Sequence, residues 1–202
     1  MRLWRSLPAT GRRRAAIAAV AGVFAVIVAV AAVHKSIAQD RLEEGRSKFR
    51  QIATVLQHPR CINCHPRADF PRQTDDRHRH TMNVARGPDN HGAPGLHCAT
   101  CHRSANQTAS GVPGAPDWQL APLRMAWEGL SVGELCRSLL DPGRGGMKPA
   151  DFIPHFQTGL VMWAWSPGTN PHGQARETPP IPYEQFMTLT REWVALGTPC
   201  PD

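Results

Sequence analysis

The sequence predicts a mainly α-helical protein with long irregular connections, and three features of its pattern indicate this class. Apolar residues recur at helical spacing in the stretches 39–58, 131–140 and 183–196. The chain carries 19 prolines and 17 glycines, and many of them fall between these stretches, where they favour turns. No segment has the alternation typical of a half-buried strand. At 202 residues, the chain has room for one modest domain and a preceding apolar helix.

Residues 1–38 have the pattern of a leader directed to a membrane. The run Ala15–Val33 contains 19 residues without a charge, and as a helix it would span a bilayer core of roughly 30 Å. Arginines precede the run, which predicts that the N-terminus faces the cytoplasm. The run is either a retained membrane anchor or a signal peptide cleaved near the small-x-small triplet Ser36–Ala38. In both cases the body, residues 39–202, lies outside the cytoplasm.

The net charge of +7 comes mainly from this leader. Without the arginines that precede residue 15, 18 basic residues face 16 acidic residues. Because the body is nearly neutral, the sequence predicts no nucleic-acid partner.

Three helices are predicted in the body. The first covers 39–58 and ends just before Pro59. The second, at 131–140, begins with a capping box of Ser131 and Glu134. The third covers 183–196 and ends at Gly197. Residues 66–97, 103–122 and 143–182 are expected to be mostly irregular. The apolar faces of the first and third helices consist of Phe49, Ile52, Val55 and Leu56, and of Phe186, Leu189, Trp193 and Leu196.

Two pentapeptides share the C-x-x-C-H pattern, which is the attachment pattern of c-type haem. On a helical turn, cysteines at i and i+3 share a face and can reach the two vinyl groups of one porphyrin. The next residue, a histidine, then offers a ring nitrogen to the iron. The two motifs therefore predict two covalently bound haem c groups, and a small loop-rich dihaem cytochrome c body organised around them. The four cysteines are Cys61, Cys64, Cys98 and Cys101, and the two histidines are His65 and His102.

Two other kinds of site fit the same cysteines. A structural zinc ion could be held by all four thiolates, in which case the chain would be a zinc-stabilised interaction module. Redox-active C-x-x-C pairs are the second alternative. The terminal histidine in both motifs, together with an exported chain, favours haem over both.

The sixth ligand of each iron is chosen from methionines and histidines in the loops. For the second haem we favour Met125, which follows His102 across a proline-rich loop. For the first haem we favour Met82 over His80. Ligands could also cross over, so that each haem takes a residue from the other half. The other methionines and histidines of the body remain open as ligands, and they are Met147, Met162, Met187, His78, His91, His97, His155 and His172.

Cys136 and Cys200 are left once each haem has taken two cysteines. One lies in the predicted helix 131–140 and the other just after the predicted helix 183–196. In an oxidising compartment they are expected to form a disulfide between these helices, the alternative being two free buried thiols.

Several segments around the motifs resemble a family of small bacterial dihaem cytochromes, often labelled as a subunit of isoquinoline 1-oxidoreductase, a molybdenum hydroxylase. The resemblance covers roughly residues 49–201, and a bacterial source together with the leader predicts a location on the periplasmic side of the inner membrane. The resemblance implies a redox partner, a molybdenum/iron–sulfur dehydrogenase. Pro154 stands where a helix of the family is expected, which counts against a role for His155. The segments that carry the resemblance are 59–66, 86–92, 98–102, 113–116, 125–131 and 135–136.

The combined expectation is an electron carrier and not an enzyme. It would pass electrons from a periplasmic dehydrogenase to a respiratory acceptor, and its axial ligands would set the reduction potentials. A respiratory role without a molybdenum enzyme also fits. A dihaem peroxidase-like enzyme is the alternative from another class. It would need an open iron position, whereas this chain is rich in residues that could close one.

Overall fold

The computed structural model describes the backbone of residues 9–202. It describes the exposure to solvent of Gly22, Phe24 and all residues from Val26 onward. The chain divides into two compact units after Glu43. The described residues of the first unit belong to helix α1, Ala9–Leu56. Up to Glu43, where this unit ends, the described side chains are exposed. The predicted apolar run at 15–33 falls in α1, and the side chains of residues 15–21, 23 and 25 lie outside the described set. Among the described residues, no helix has both the length and the apolar character needed to cross a bilayer.

The second unit, residues 44–202, is mainly α-helical, as predicted. Besides the end of α1, its described α-helices are α2 Pro59–Ile62, α3 Cys98–Cys101, α4 Val132–Leu140, α5 Phe152–Phe156, α6 Gly159–Met162 and α7 Tyr183–Ala195. Short 3₁₀ turns lie at Thr81–Asn83, Leu123–Met125, Pro149–Asp151 and Trp163–Trp165.

Two small antiparallel hairpins, which the sequence did not predict, interrupt the loops. Strand β1, Arg72–Gln73, pairs with β2, His78–Arg79, and β3, Gly92–Ala93, pairs with β4, Leu96–His97. Each strand has only two residues, too few for an alternating pattern to be recognised. The hairpins therefore follow from turn geometry, with Gly95 at a φ of +86° in the second.

The core forms where α1, α4, α5 and α7 meet. The predicted stripe of α1 is buried, with Phe49 at 0 % exposure and Leu56 at 2 %. Of the predicted face of α7, Phe186, Leu189 and Trp193 are buried, and Leu196 is half-buried. Burial on this scale is the main stabilising contribution available to a small body. The buried aromatic rings of Phe49, Trp193, Phe152, Phe156 and Phe186 are in mutual contact.

Helix α4 begins as predicted. Ser131 is its N-cap, the Ser131 hydroxyl accepts from the Glu134 amide at 3.3 Å, and the Glu134 carboxylate accepts from the Ser131 amide at 2.8 Å. The predicted disulfide is confirmed, since Cys136 in α4 is bonded to Cys200 with a Cα–Cα distance of 5.6 Å. The bridge ties α4 to the segment that follows α7.

Residues 143–182 are mostly irregular, as expected, with α5 and α6 as short interruptions, and Pro154 does not break α5. Pro154 occupies the third position of Phe152–Phe156. In the first turn of a helix the amide has no intrahelical partner, so the missing N–H of a proline costs nothing there. Pro59 likewise begins α2 at its first position, after α1 has ended at Leu56.

Candidate functional site

Both C-x-x-C-H motifs form helical turns. In the first, the His65 amide donates to the Cys61 carbonyl at 3.2 Å. In the second, the His102 amide donates to the Cys98 carbonyl at 2.9 Å. These i to i+4 bonds place each histidine one turn beyond the first cysteine of its motif, which is the arrangement that the spacing predicts. The turn of the first motif begins at α2, where the His58 ring accepts from the Arg60 amide at 3.3 Å.

The imidazole of His65 is held on two sides. Its Nδ1 donates to the carbonyl of Met125 at 2.9 Å, and the indole of Trp127 stacks on the ring at 3.4 Å between centroids. Because a carbonyl only accepts, Nδ1 carries the proton, and Nε2 of the neutral ring keeps its lone pair. Burial lowers the pKa of His65 to about 4, so the ring is neutral at pH 7. His65 is therefore a neutral, oriented imidazole whose Nε2 lone pair could bind a metal ion.

His102 repeats this arrangement in the second motif. Its Nδ1 donates to the carbonyl of Pro113 at 2.8 Å, and the indole of Trp118 stacks on the ring at 4.4 Å with an interplanar angle of 7°. Burial again lowers the pKa of the imidazole. A backbone carbonyl on one ring nitrogen is the usual device that fixes the tautomer of a metal-bound histidine.

Each histidine faces a cavity that it shares with the cysteines of its own motif. The first cavity has a volume of about 240 Å³ and is lined by Cys61, Cys64 and His65. The second, of about 250 Å³, is lined by Cys98, Cys101 and His102. The two cavities are adjacent, since a common wall borders both of them. This wall consists of Arg60, Cys64, Gln119, Leu120 and Trp163.

Three of the residues that line the second cavity carry buried polar atoms that have no protein partner. They are Nε of Arg60, Nε of Arg72 and Oδ1 of Asn63. Arg60 is buried, its guanidinium is paired with Asp75, and the carboxylate of Glu177 also acts on its charge. Unpaired buried donors are costly. Arg60 and Arg72, the latter paired with Glu128 at 3.0 Å, thus place two cations beside the cavity, and this charge would suit a cofactor that carries carboxylates, as haem does.

The structure places Met125 with the first motif and not with the second, for which it was predicted. The Met125 carbonyl accepts from His65, and its side chain lines the first cavity. The loop after Pro113 thus returns to the first motif, and the Ala121 amide donates to the Cys64 carbonyl at 3.0 Å. Loop length alone had suggested the second motif.

His80 and Met82 also lie beside the other motif from the one for which they were predicted. Both line the second cavity, with His102, and neither lines the first, for which they were expected. The reason is the β1–β2 hairpin, which folds the segment after His78 back toward the second motif. The crossover arrangement left open by the sequence therefore describes the placement of these residues.

Three contributors to the site were not singled out from the sequence, namely the carbonyls of Met125 and Pro113 and the side chain of Arg60. The carbonyls of Met125 and Pro113 carry no side-chain signal, and only the structure identifies them. His155 lines the first cavity, in the helix that Pro154 was expected to prevent. The position of Arg60 directly before Cys61 is the one signal that could have indicated its place in the common wall.

Burial shifts the pKa of the thiols of the first motif upward, whereas the pKa of a redox-active cysteine is shifted downward. It raises the pKa of Cys61 to about 12 and that of Cys64 to about 11. Reactive cysteines have a lowered pKa, so the thiol redox alternative lacks its physical basis at these residues. Within the described part of the chain, no group of three or more His, Cys, Asp or Glu side chains is arranged to hold a metal ion.

Comparisons with known proteins found no similar protein. No protein-family model matches the chain, and neither the curated proteins nor the solved structures contain a match.

Proposed function

We propose that this chain is a dihaem c-type cytochrome that transfers electrons and is not itself an enzyme. The observation that supports the proposal most strongly is the repeated setting of His65 and His102. Each ring has its Nδ1 proton engaged by a backbone carbonyl, an indole stacked on its face, and a cavity shared with the cysteine pair of its own motif. Two unrelated surface histidines would have no reason to share all three features.

The residues of each motif would hold one haem in a defined way. Each cysteine thiol would add across a vinyl group, so that S–H becomes one C–S and one C–H bond and no group leaves. His65 and His102 would bind the two irons through Nε2, and Arg60 and Arg72 would place positive charge beside the carboxylates of the haem. When bound, the haem iron gains and loses one electron. The protein sets the potential of that step through axial ligands, charge and burial.

The common wall suits transfer between two centres. Leu120 and Trp163 border both cavities, so single side chains separate them. Both residues exclude water, and a low local dielectric strengthens the effect of nearby charges. The ring of Trp163 also lies 4.8 Å from that of Trp118, which stacks on His102.

We propose further that the body acts on the periplasmic side of the bacterial inner membrane, with residues 1–38 as anchor or cleaved leader. The support is the arginine-flanked apolar run of the sequence. The proposed partners are a dehydrogenase, such as a molybdenum/iron–sulfur hydroxylase, and a membrane respiratory chain. The resemblance of the sequence supports this choice. Reduction of the ferric protein by a purified molybdenum hydroxylase and its substrate, followed at the haem absorption bands, would test it.

The central test is the haem content of the full chain, made in a host that matures c-type cytochromes. We expect two haems per chain by the pyridine haemochrome assay, and a peroxidase-activity stain that survives a denaturing gel. Replacement of Cys61 and Cys64 by serine should leave one haem, as should replacement of Cys98 and Cys101. Replacement of Cys136 and Cys200 by alanine is the matched control and should leave two. A parent protein without any stain would overturn the proposal.

A further inference from the structure

His80 lies across the second cavity from His102. The two ring centroids are 6.0 Å apart, and the ring planes are inclined by 76°. A metal–imidazole bond is about 2 Å long, as in zinc sites, and the ring centre lies about 1 Å behind the bonding nitrogen. Two imidazoles on opposite sides of one iron would therefore have centroids about 6 Å apart. The observed spacing is that of two axial ligands of one metal.

The ring nitrogens of the two histidines are in matching states. Nδ1 of His80 donates to the carbonyl of Thr81 at 2.8 Å, just as Nδ1 of His102 donates to the carbonyl of Pro113 at 2.8 Å. Both carbonyls only accept, so both Nδ1 atoms carry the proton. This leaves Nε2 as the nitrogen of each ring through which an iron could be bound.

Hydrogen bonds hold the backbone around His80 in place. The His80 amide donates to the carbonyl of Pro71 at 3.0 Å, which extends the pairing of β1 with β2. The next amide, that of Thr81, donates to the Gln73 side chain at 2.9 Å. Because both of these amides are hydrogen-bonded, the hairpin positions the His80 side chain better than a free loop would.

We propose that His80 is the second axial ligand of the iron bound by His102, so that this haem has two imidazoles. The assignment rests on the proposed function, because it needs a haem on Cys98 and Cys101. Met82 lines the same cavity but is 72 % exposed, whereas His80 is half-buried and its ring centroid lies 6.0 Å from that of His102. Two imidazoles favour a lower reduction potential than an imidazole and a thioether.

The test compares three full-length variants with the parent, all loaded with haem. His80→Ala opens one iron, so we expect the loss of one low-spin ferric signal in electron paramagnetic resonance. We also expect binding of one more equivalent of imidazole per chain than the parent binds, with return of the low-spin signal. Met82→Leu tests the competing thioether ligand and should keep the low-spin signals, and His78→Ala is the control that should match the parent. The side chain of His78 lies on the same hairpin but is paired with Asp76 and does not line the cavity.

Near-infrared magnetic circular dichroism of the parent needs no variant, and it separates bis-imidazole from imidazole–thioether ligation. We expect at least one bis-imidazole haem. The assignment is overturned if the parent shows only thioether ligation, or if His80→Ala keeps the spectrum and imidazole stoichiometry of the parent. It is equally overturned if Met82→Leu causes the change instead. A parent without haem overturns the proposed function, and a haem-loaded parent with any of these results overturns only the role of His80.

Discussion

The imidazole of His65 lies flat against the indole of Trp127, with ring centroids 3.4 Å apart and planes 10° apart. Trp127 is 4 % exposed, and it follows by two residues Met125, whose carbonyl accepts from the same imidazole. The segment 125–127 therefore fixes both the tilt and the tautomer of His65. In addition, the Trp127 amide donates to the His65 carbonyl at 3.0 Å, which holds the two backbones together.

Trp127→Ala should destabilise the body and loosen His65. Removal of a buried tryptophan costs about 3–5 kcal/mol, because the cavity left behind collapses only in part. Trp127→Phe should cost about 1–2 kcal/mol, because it keeps a ring beside the imidazole and removes an Nε1 donor that has no protein partner. Guanidinium denaturation of the haem-loaded protein measures both values. Equal stability of the alanine variant and the parent would contradict the role of Trp127.

Arg60 should raise the reduction potentials of both haems. It is a buried cation in the wall common to the two cavities, and a positive charge disfavours ferric iron. At roughly 8 Å and an effective dielectric constant of about 20, the interaction is about 2 kcal/mol, before the opposing effect of Asp75. Arg60→Gln should therefore lower both potentials by roughly 30–80 mV in a spectroelectrochemical titration.

Arg79→Gln is the control for this experiment. Arg79 is exposed, lies over the ring of Phe70 and lines neither cavity. Solvent screens its charge, so we expect a shift of only a few millivolts. Comparable shifts in the two variants would show that Arg60 acts through net charge and not through its position.

The Cys136–Cys200 bond should stabilise the body by constraining the unfolded chain. Its sequence separation of 64 residues corresponds to about 4 kcal/mol by loop-closure entropy. We expect Cys136→Ala, Cys200→Ala and the double variant to lose this amount in denaturant melts without reductant. The difference from the parent should shrink when the parent is reduced. Thiol titration of the denatured, unreduced parent should find no reactive thiol from this pair, and two reactive thiols would refute the bond.

Local signals in the sequence predicted the local structure well. The capping box of Ser131 and Glu134 marks the start of α4, and the stripe that contains Phe49 marks the buried face of α1. The motif turns were equally accessible, because an i to i+4 bond joins residues that are neighbours in the chain. Periodicity and capping act over a few residues, so a pattern suffices to find them.

The pairing of loops with motifs could not be predicted in this way. His80 and Met125 are separated from the motifs that they contact by loops, and loop length does not determine direction. The turns that decide it depend on residues such as Thr74 and Arg77, which have φ values of +61° and +56°. Positive φ is uncommon for residues of these types, so no sequence pattern predicted the hairpin.

Gly133 should tolerate no side chain, because α4 packs at this position against the C-terminal residues. A Cβ built on Gly133 would lie 2.6 Å from the carbonyl oxygen of Asp202 and 2.7 Å from that of Pro201. Both atoms belong to the backbone, and the adjoining Cys200 is held by its disulfide, so relief requires α4 or residues 201–202 to shift. Gly133→Ala should cost about 1–3 kcal/mol in unfolding free energy, although alanine is the better helix former by about 1 kcal/mol.

Ser138→Ala is the matched control in the same helix. The Ser138 hydroxyl is buried without a protein partner, so its removal relieves an unpaired polar group and leaves no clash. We expect this variant to be as stable as the parent or more stable, by up to about 1 kcal/mol. Denaturant melts of the two variants should therefore move in opposite directions. A Gly133→Ala protein as stable as Ser138→Ala would mean that the C-terminal residues do not pack on α4, because only that packing makes a methyl group at Gly133 unfavourable.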